Sequence, residues 1–300
     1  MAYFLAIDGG GTKTECVIGD EQRVLGSAVG STIKIKKVGN KTAAASLQSA
    51  INEACKQAKV RPDQFSRTCI GLAGSSIAEV TQWTRATLQR LVSGEVIVVN
   101  DTMIAHHAAF NGGPGVLVIA GTGSNVLGIN KRGESARAGG WGPIISDEGS
   151  GFWIGRTAVA QSMRAHDAGR STELLSAITQ AWGLDSREDV VAMANSNPPP
   201  DFAALLPAVL RCADAGDALA REILSSAANE LAQLARIVVR KLWNGDGKIH
   251  IALTGGVFAH SSQIRQMFSN AIRAERAGIE VNPEPVHPVM GALAMARSQA

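Results

Sequence analysis

The chain begins with short, mainly apolar runs that alternate with polar turns. The runs cover Tyr3–Ile7, Glu15–Ile18 and Val24–Val29, and a glycine-rich turn and then a charged turn separate them. Short apolar runs joined in this way are typical of antiparallel strands. The pattern therefore predicts a three-stranded meander at the N-terminus.

The same pattern returns in the second half of the chain. Mainly apolar runs cover Val116–Ile119, Asn125–Ile129 and Glu134–Ala138, again with a glycine-rich turn followed by a charged one. Helix-period segments follow each meander. Two similar halves of this kind predict duplicated α/β domains that face one another.

Periodicity predicts the remaining elements. Amphipathic stripes predict helices and strand-sized apolar runs predict strands. The predicted helices are Ala43–Ala58, Ile77–Val92, Gly151–Ala168, Asp217–Trp243 and Pro288–Arg297, and the predicted strands are Arg67–Leu72, Gly94–Val99 and Ile249–Leu253. Lys34, Lys36 and Lys37 alternate along Ile33–Val38, and we interpret them as the solvated face of an edge segment.

Composition limits the classes of protein to which the chain can belong. The chain has 300 residues, of which 45% are apolar and 18% charged, which excludes disorder. The net charge of +3, from 29 basic and 26 acidic residues, gives no indication of a nucleic-acid partner. No apolar run approaches the roughly 18 residues of a membrane span, so no membrane association is expected.

Cysteine usage and the N-terminus indicate the compartment. Cys16, Cys55, Cys69 and Cys212 are scattered and form no CxxC motif. The N-terminus has no basic region or cleavage site of a signal peptide. We therefore expect reduced thiols and a cytoplasmic protein.

The turn between the first two predicted strands reads Asp8-Gly9-Gly10-Gly11-Thr12-Lys13-Thr14. Glycines lack a Cβ, so the backbone N–H groups of such a turn can approach an anion closely. Thr12 and Thr14 add hydroxyl donors, and Asp8 at the strand end can hold Mg²⁺ through water. An ordinary hairpin turn is the alternative interpretation.

A second turn, Gly121-Thr122-Gly123-Ser124, stands at the matching place of the second half. Two facing glycine turns favour the binding of a polyphosphate from both sides. Gly255-Gly256 forms a third turn, which either begins a helix or lies against an adenine or ribose. The spacings of a P-loop and of a G-x-G-x-x-G fingerprint are both missing, so neither of those nucleotide sites is predicted.

Asp101 follows an apolar run that ends at Asn100. A carboxylate at a strand end is well placed to take a proton from an attacking hydroxyl. Capping of the helix that begins near Thr102 is the alternative role for this side chain. Spacing alone leaves both open.

The segment from Gly139 to Gly151 has no regular period and contains many glycines, which predicts a functional loop. Trp141 can stack on the apolar face of a sugar, and Asp147 and Glu148 can accept hydrogen bonds from hydroxyls or face a metal. Alternatively, Asp147 caps the helix that begins near Gly151.

Taken in order, these segments resemble the N-acetylglucosamine kinase branch of the BadF/BadG/BcrA/BcrD-type ATPases, in the actin/hexokinase/Hsp70 superfamily. The likeness spans essentially the whole chain. It rests on the two phosphate turns, on Gly139-Gly140-Trp141-Gly142, on Asp147-Glu148-Gly149, on Leu253-Thr254-Gly255-Gly256-Val257 and on Pro288–Ala294.

The resemblance implies two ribonuclease-H-like (actin-like ATPase) domains with ATP in a cleft between them. It implies a first domain of residues 1–112 with 288–300, a second of residues 113–287, and a C-terminal helix that packs on the first domain. It further implies ATP and Mg²⁺ as cofactors, a small-molecule sugar as substrate and a homodimer.

The resemblance also implies roles for individual residues. Asp101 is expected to activate the sugar 6-hydroxyl and to contact the sugar, and Asp8 to contact Mg²⁺. The expected ATP contacts are Gly10, Gly11, Thr12, Lys13, Gly121, Thr122, Gly123, Gly216, Gly255 and Gly256. The expected sugar contacts are Thr32, Ser124, Asn125, Gly140, Trp141, Gly142 and Asp147.

One segment departs from the family. Ser31-Thr32 leads into Ile33-Lys34, where the animal enzymes have an asparagine-containing stretch that holds the sugar. Lys34 can instead meet an anionic group such as that of N-acetylmuramic acid, and glucosamine is another alternative substrate. The alternative of another class is an activator ATPase for an electron-transfer partner, which needs cysteines at a subunit interface.

Overall fold

The computed structural model describes residues 2–72, 77–245, 247–276 and 278–298. The chain divides into two compact units, Met1–Gly113 with Val286–Ala300 and Pro114–Pro285. Within the described ranges, no helix is both long and apolar enough to cross a membrane.

The first unit is a five-stranded mixed sheet with helices on both faces. Its strands are β1 (Tyr3–Gly9), β2 (Lys13–Gly19), β3 (Val24–Ser31), β4 (Phe65–Leu72) and β5 (Glu95–Asn100). Its helices are α1 (Ile35–Ala58), α2 (Ala78–Leu91), α3 (Asp101–Phe110) and the C-terminal helix α11 (Pro288–Arg297), with a 3₁₀ turn at Pro62–Gln64. The strand order is β3-β2-β1-β4-β5, antiparallel through the meander and parallel from β1 to β5.

Alternation along β1 builds a core on each face of this sheet, because successive side chains of a strand point to opposite faces. Leu5 and Ile7 join the core beneath α1 and α2. Phe4 and Ala6 join the core that α11 completes with Leu293. The C-terminal helix α11 therefore packs on the first unit.

The second unit repeats the arrangement. Its strands are β6 (Gly115–Ala120), β7 (Ser124–Ile129), β8 (Ser135–Gly139), β9 (Ile249–Thr254) and β10 (Ile279–Val281). Its helices are α4 (Gly151–Asp167), α5 (Leu174–Ala181), α6 (Arg187–Ala194), α7 (Leu206–Asp214), α8 (Ala218–Leu242), α9 (Gly256–His260) and α10 (Ser262–Arg273), with a 3₁₀ turn at Phe202–Leu205. The strand order β8-β7-β6-β9-β10 matches that of the first sheet, so the predicted duplication is confirmed.

The longest helix follows its predicted stripe. Leu219, Ile223, Leu231 and Val238 of α8 are buried in the core of the second unit, and Leu234 packs against it half-buried. Burial of one apolar stripe on the sheet is what fixes such a helix.

The segment after β3 differs from its prediction. Ile35–Val38 is a helical turn, not an edge segment, and Val38 N donates to the Lys34 carbonyl oxygen. The three lysines are exposed, as expected. Gly39 interrupts the helix with φ 76°, a conformation that glycine adopts without strain. This kink breaks the period, which is why the pattern indicated a helix only from Ala43.

Candidate active site

The predicted site residues of the first unit lie at the carboxyl edge of its parallel strands. Gly9 pairs with Leu72, and Leu72 pairs with Asn100, so β1, β4 and β5 end side by side. Asp8 stands just before the end of β1, and Asp101 directly follows β5. Ligands of open α/β sheets bind outside this edge.

The first glycine turn is held by a buried threonine. Thr32 Oγ1 donates to the Gly10 carbonyl oxygen at 3.0 Å, and Lys34 N donates to Thr32 Oγ1 at 3.1 Å. Thr12 and Lys13 are exposed, whereas Thr14 is fully buried in β2. Thr14 therefore does not present its hydroxyl to a ligand in this conformation, contrary to the expectation from the sequence.

Asp8 and Asp101 influence each other. Burial and the neighbouring negative charges of Asp101 and Glu15 raise the pKa of Asp8 to about 7, and Lys13 offsets this only in part. Two nearby carboxylates that differ in surroundings are a common arrangement for separate chemical roles. A cation beside Asp8 would relieve the charge that burial disfavours.

Asp101 is the first residue of α3, and the residue before it, Asn100, caps this helix. Asn100 has extended backbone angles, and its side chain accepts a hydrogen bond from Thr102 N at 2.9 Å. Asp101 Oδ1 also accepts from Thr102 N at 2.9 Å. Asn100 is thus the N-cap, so the interpretation of Asp101 as the capping residue is wrong.

Two glycines let α3 sit close to the sheet and to α11. A Cβ at Gly71 of β4 would come within 2.2 Å of Ile104, and a Cβ at Gly291 of α11 would come within 1.8 Å of the Ile104 carbonyl oxygen. Ile104 is fully buried. The close approach on both sides fixes the helix that carries Asp101.

The second glycine turn is held by the start of α4. Gly151 N donates to the Gly121 carbonyl oxygen at 2.8 Å, and Phe152 N donates to the Thr122 carbonyl oxygen at 3.2 Å. In a planar trans peptide the C=O and the following N–H point in opposite directions. The N–H groups of Thr122 and Gly123 therefore point away from α4, together on one side of the turn.

Asp147 lies beneath this turn. It is 7% exposed, its backbone φ is 65°, and its Oδ1 accepts from Ser124 N at 3.3 Å. The helix cap is Ser150, whose side chain accepts from Trp153 N. The interpretation of Asp147 as the helix cap is therefore wrong. Glu148, next in the chain, accepts a hydrogen bond from Ser146 Oγ at 3.0 Å.

The loop from residue 140 to 150, here called the 140–150 loop, has no helix or strand, as the sequence predicts. Trp141 is 72% exposed, and the Arg137 guanidinium lies 5.4 Å from its ring centroid. Arg137 also donates to the Gly140 carbonyl oxygen at 3.0 Å. Gly140 and Gly142 have φ of 71° and 101°. The result is a flat aromatic surface with one side exposed and a cation at the ring.

Asn125 of β7 lies against Gly140 and is incompletely paired. A Cβ at Gly140 would come within 3.2 Å of its amide nitrogen. Its Oδ1 is buried and has no hydrogen-bond partner among the described residues. A buried oxygen without a hydrogen-bond partner is costly, so this position is not explained by stability alone.

The third turn contacts the second. A Cβ at Gly255 would come within 2.3 Å of the Ala120 carbonyl oxygen and 2.9 Å of Gly121 N. Gly255 has φ 101° and precedes α9, which begins at Gly256. Gly216, with φ 100°, lies in the turn between α7 and α8.

The chain matches a known protein family over nearly its whole length. A model of the BadF/BadG/BcrA/BcrD ATPase family matches residues 5–296. The chain belongs to this family. The resemblance inferred from the motifs is confirmed.

Relatives of this family member match it over nearly its full length. The N-acetylmuramic acid/N-acetylglucosamine kinase of Clostridium acetobutylicum is 31% identical over 100% of this chain and 99% of its own. The N-acetyl-D-glucosamine kinase of Dictyostelium discoideum is 29% identical over 98% of this chain and 97% of its own. A solved structure from Chromobacterium violaceum, provisionally named as an N-acetylglucosamine kinase, matches with a TM-score of 0.77 at 24% identity, covering 99% of both chains. The α/β fold of the actin-like ATPases is thereby confirmed.

The carboxylates of the first unit fit a magnesium ion that is bound together with phosphates. No group of three or more His, Cys, Asp or Glu that could hold a metal occurs in the described ranges. Mg²⁺ does not require one, because it keeps several waters and takes one or two carboxylates plus substrate phosphates. Asp8, close to the negative charge of Asp101, is a suitable carboxylate.

Several positioning residues escaped the sequence analysis. These are Asn100, Ser150, Gly71 and Gly291. The two caps had a local signal, since each precedes a helix and is a residue type that caps helices. The two glycines had none, because Ile104, the residue that both accommodate, is distant from each of them in sequence.

Proposed function

We propose that this family member is an ATP-dependent kinase that converts N-acetylglucosamine to N-acetylglucosamine 6-phosphate. Its full-length relatives support an amino sugar as the substrate. The observation that carries the proposal is the pair of carboxylates at one sheet edge, Asp8 and Asp101, each in a different setting.

Asp101 is the base in this proposal. It accepts the proton of the sugar 6-hydroxyl as that oxygen attacks the terminal phosphorus of ATP and the bond to the leaving oxygen breaks. A positioned base contributes about 10²–10⁴-fold to such a rate. The cap at Asn100 and the tight packing of α3 support its fixed placement.

The glycine turns bind phosphates in this proposal. The transition state of phosphoryl transfer is loose, so positioning and neutralisation of charge dominate. The first turn contributes Gly10, Gly11, Thr12 and Lys13, and the second contributes Gly121, Thr122 and Gly123. When bound, Mg²⁺ supplies neutralisation of phosphate charge, with Asp8 as its protein contact. Gly216, Gly255 and Gly256 line the nucleotide.

The second unit supplies most of the sugar contacts. Trp141 stacks on the apolar face of the ring, and its 72% exposure supports that role. Asn125, which lies against Gly140 of the 140–150 loop, is a further sugar contact in this proposal. Gly140 and Gly142 let the backbone approach the sugar, and Asp147 and Thr32 are the other sugar contacts in this proposal.

N-acetylmuramic acid is a second candidate substrate. The Clostridium relative is named for both sugars, and Lys34 is exposed at the N-cap of α1. A lysine there attracts a carboxylate. If N-acetylmuramic acid is used, Lys34→Gln raises its KM and leaves the KM of N-acetylglucosamine unchanged. Glucosamine, the other alternative, lacks the acyl group and the carboxylate.

The activator alternative has no support from the cysteines. All four are free and buried. Burial raises the pKa of Cys16 and of Cys69 to about 12. Cluster ligation needs accessible thiolates, so these residues are unsuited to a cluster shared at a surface.

We extend the proposal to the organisation of the protein. The actin-like domains are residues 1–112 with 288–300 and residues 113–287, and the two compact units support this division. The use of ATP and the free thiols support a cytoplasmic location, and the assembly we propose is a homodimer.

The experiment that tests the function is Asp101→Asn, with Asp63→Asn as the matched control. Asp63 is an exposed aspartate in the 3₁₀ turn that is paired with Arg61. We expect Asp101→Asn to lower kcat with N-acetylglucosamine by about 10²-fold or more, and to leave the Kd of ATP within about twofold. A comparable loss of kcat and of ATP affinity would contradict the role of Asp101 as base.

A further inference from the structure

The hydroxyl of Ser124 faces the protein. Ser124 is the last residue of the second glycine turn and the first residue of β7, and it is only 3% exposed. Its Oγ donates to the Glu148 carbonyl oxygen at 2.8 Å, and its backbone N–H donates to Asp147 Oδ1 at 3.3 Å. Both donors of this residue are therefore used within the second unit.

These bonds continue into the start of α4. Gly151 N and Phe152 N donate to the carbonyl oxygens of Gly121 and Thr122. Asp147 also fills the space beside Gly123, where a Cβ would come within 2.8 Å of its Oδ2. Asp147, Glu148, Gly151 and Phe152 are thus hydrogen-bonded to both ends of the turn.

The same segment is the end of the 140–150 loop. That loop carries Trp141, Gly140 and Gly142 before it reaches Asp147, with no helix or strand between. A change at the bond between Ser124 and Glu148 therefore acts on the phosphate turn and on the sugar loop together. A residue that only touched the sugar would act on the sugar alone.

We propose that Ser124 is a positioning residue that holds the second phosphate turn and the 140–150 loop in register, so that its hydroxyl serves both substrates indirectly. The proposal rests on the proposed function, and it replaces the expected direct contact of the Ser124 side chain with the sugar. The bond between Ser124 and Glu148 helps to keep the carbonyl oxygens of Gly121 and Thr122 bonded to the start of α4. The N–H groups of Thr122 and Gly123 then stay directed away from α4.

The test compares Ser124→Ala, Ser124→Thr and Ser162→Ala with the wild-type protein. Ser124→Thr keeps the hydroxyl donor. Ser162 of α4 is the matched control, because it is fully buried and its hydroxyl has no partner among the described residues. Thermal unfolding of each variant identifies a change that is only a loss of stability.

The decisive readout is ATP binding without sugar, measured by calorimetry in the presence of Mg²⁺. We expect Ser124→Ala to weaken ATP binding about three- to tenfold, the factor that one lost hydrogen bond typically brings. We expect the KM of N-acetylglucosamine to rise by a similar factor, Ser124→Thr to restore both, and Ser162→Ala to change neither.

Two results would overturn the proposal. If Ser124→Ala raises the KM of the sugar and leaves ATP binding unchanged, Ser124 is a direct sugar contact. If neither quantity changes, the bond positions nothing. Failure of the proposed function looks different: no amino sugar would then accelerate ADP release by the wild-type protein, while the ATP-binding comparison would still decide the role of Ser124.

Discussion

The negative charge of Asp101 helps to raise the pKa of Asp8 to about 7, although β1, which carries Asp8, does not pair with β5, the strand that ends just before Asp101. Strand β4 lies between them and ends at the same edge. Parallel strands bring the ends of distant segments together, and here they bring together the two carboxylates on which the account depends.

The raised pKa of Asp8 predicts how stability depends on pH. The ordinary pKa is 3.8 and the folded value is about 7, so the folded state binds a proton more tightly than the unfolded state. The free energy of unfolding therefore falls as the pH rises from about 4 to about 7. Asp8→Asn removes this contribution.

Thermal unfolding of the ligand-free protein across pH 5 to 8 measures the effect. We expect the Tm of Asp8→Asn minus that of the wild type to increase from pH 5 to about pH 7 and to level off above that pH. A difference that stays constant over this range would show that the Asp8 pKa is ordinary.

Packing of α11 on α3 predicts an unusual effect at a helical glycine. Replacing glycine by alanine inside a helix normally stabilises it by about 1 kcal/mol. At Gly291 the added Cβ would come within 1.8 Å of the Ile104 carbonyl oxygen, so Gly291→Ala must move one helix. We expect destabilisation by about 1–3 kcal/mol, measured by denaturant unfolding, together with a lower kcat.

Gly245→Ala is the control for this variant, since a Cβ there would meet no atom within 4 Å. Equal stability of Gly291→Ala and the wild type would mean that α3 and α11 are not in close contact, and the placement of Asp101 would then need another explanation.

The first glycine turn depends on the hydroxyl of Thr32. Thr32→Val keeps the shape of the side chain but removes its hydroxyl. The Gly10 carbonyl oxygen then loses its donor, and Lys34 N loses its acceptor. We expect a loss of about 1–3 kcal/mol of stability and weaker ATP binding, whereas Thr32→Ser retains both.

Thr68→Val is the control, because Thr68 is fully buried in β4 and its hydroxyl has no partner among the described residues. Its replacement should be neutral or stabilising. If Thr32→Val and Thr68→Val behave alike, Thr32 does not hold the turn.

Because Trp141 is exposed, its replacement should raise the KM of the sugar without altering the KM of ATP. Trp141→Ala removes a side chain that is 72% exposed, so the free energy of unfolding should change by at most about 0.5 kcal/mol. We expect the KM of the sugar to rise and the KM of ATP to stay the same.

Ile144→Ala, at 90% exposure in the same loop, is the comparison variant and should alter neither KM. An unchanged sugar KM in Trp141→Ala would rule out stacking.

The fold could be predicted wherever the pattern was strong and local. Both meanders, the long helix α8 and the C-terminal helix α11 were found from periodicity. Strand β10, three residues long, is too short to show a period. Helix α10 was missed although Ile264, Phe268 and Ile272 repeat at helical spacing, so its signal was present in the sequence.

The candidate site likewise contains features that could be predicted from neighbouring residues and features that could not. Glycine turns and the acidic residues at strand ends can be identified locally, because both depend on neighbours in sequence. The partners of Thr32 and Ser124 could not be predicted from spacing: Gly10 lies 22 residues from Thr32, and Glu148 lies 24 from Ser124. Only tertiary structure shows which side of a turn a hydroxyl faces.

The identity of the phosphorylated product tests the proposed kinase activity most directly. The protein is incubated with ATP, Mg²⁺ and N-acetylglucosamine, and the ADP and the sugar products are measured together by mass spectrometry. The account predicts one phosphorylated N-acetylglucosamine for each ADP, carrying the phosphate on the 6-hydroxyl, and almost none with Asp101→Asn. Release of ADP with inorganic phosphate alone, and no phosphorylated sugar, would contradict it.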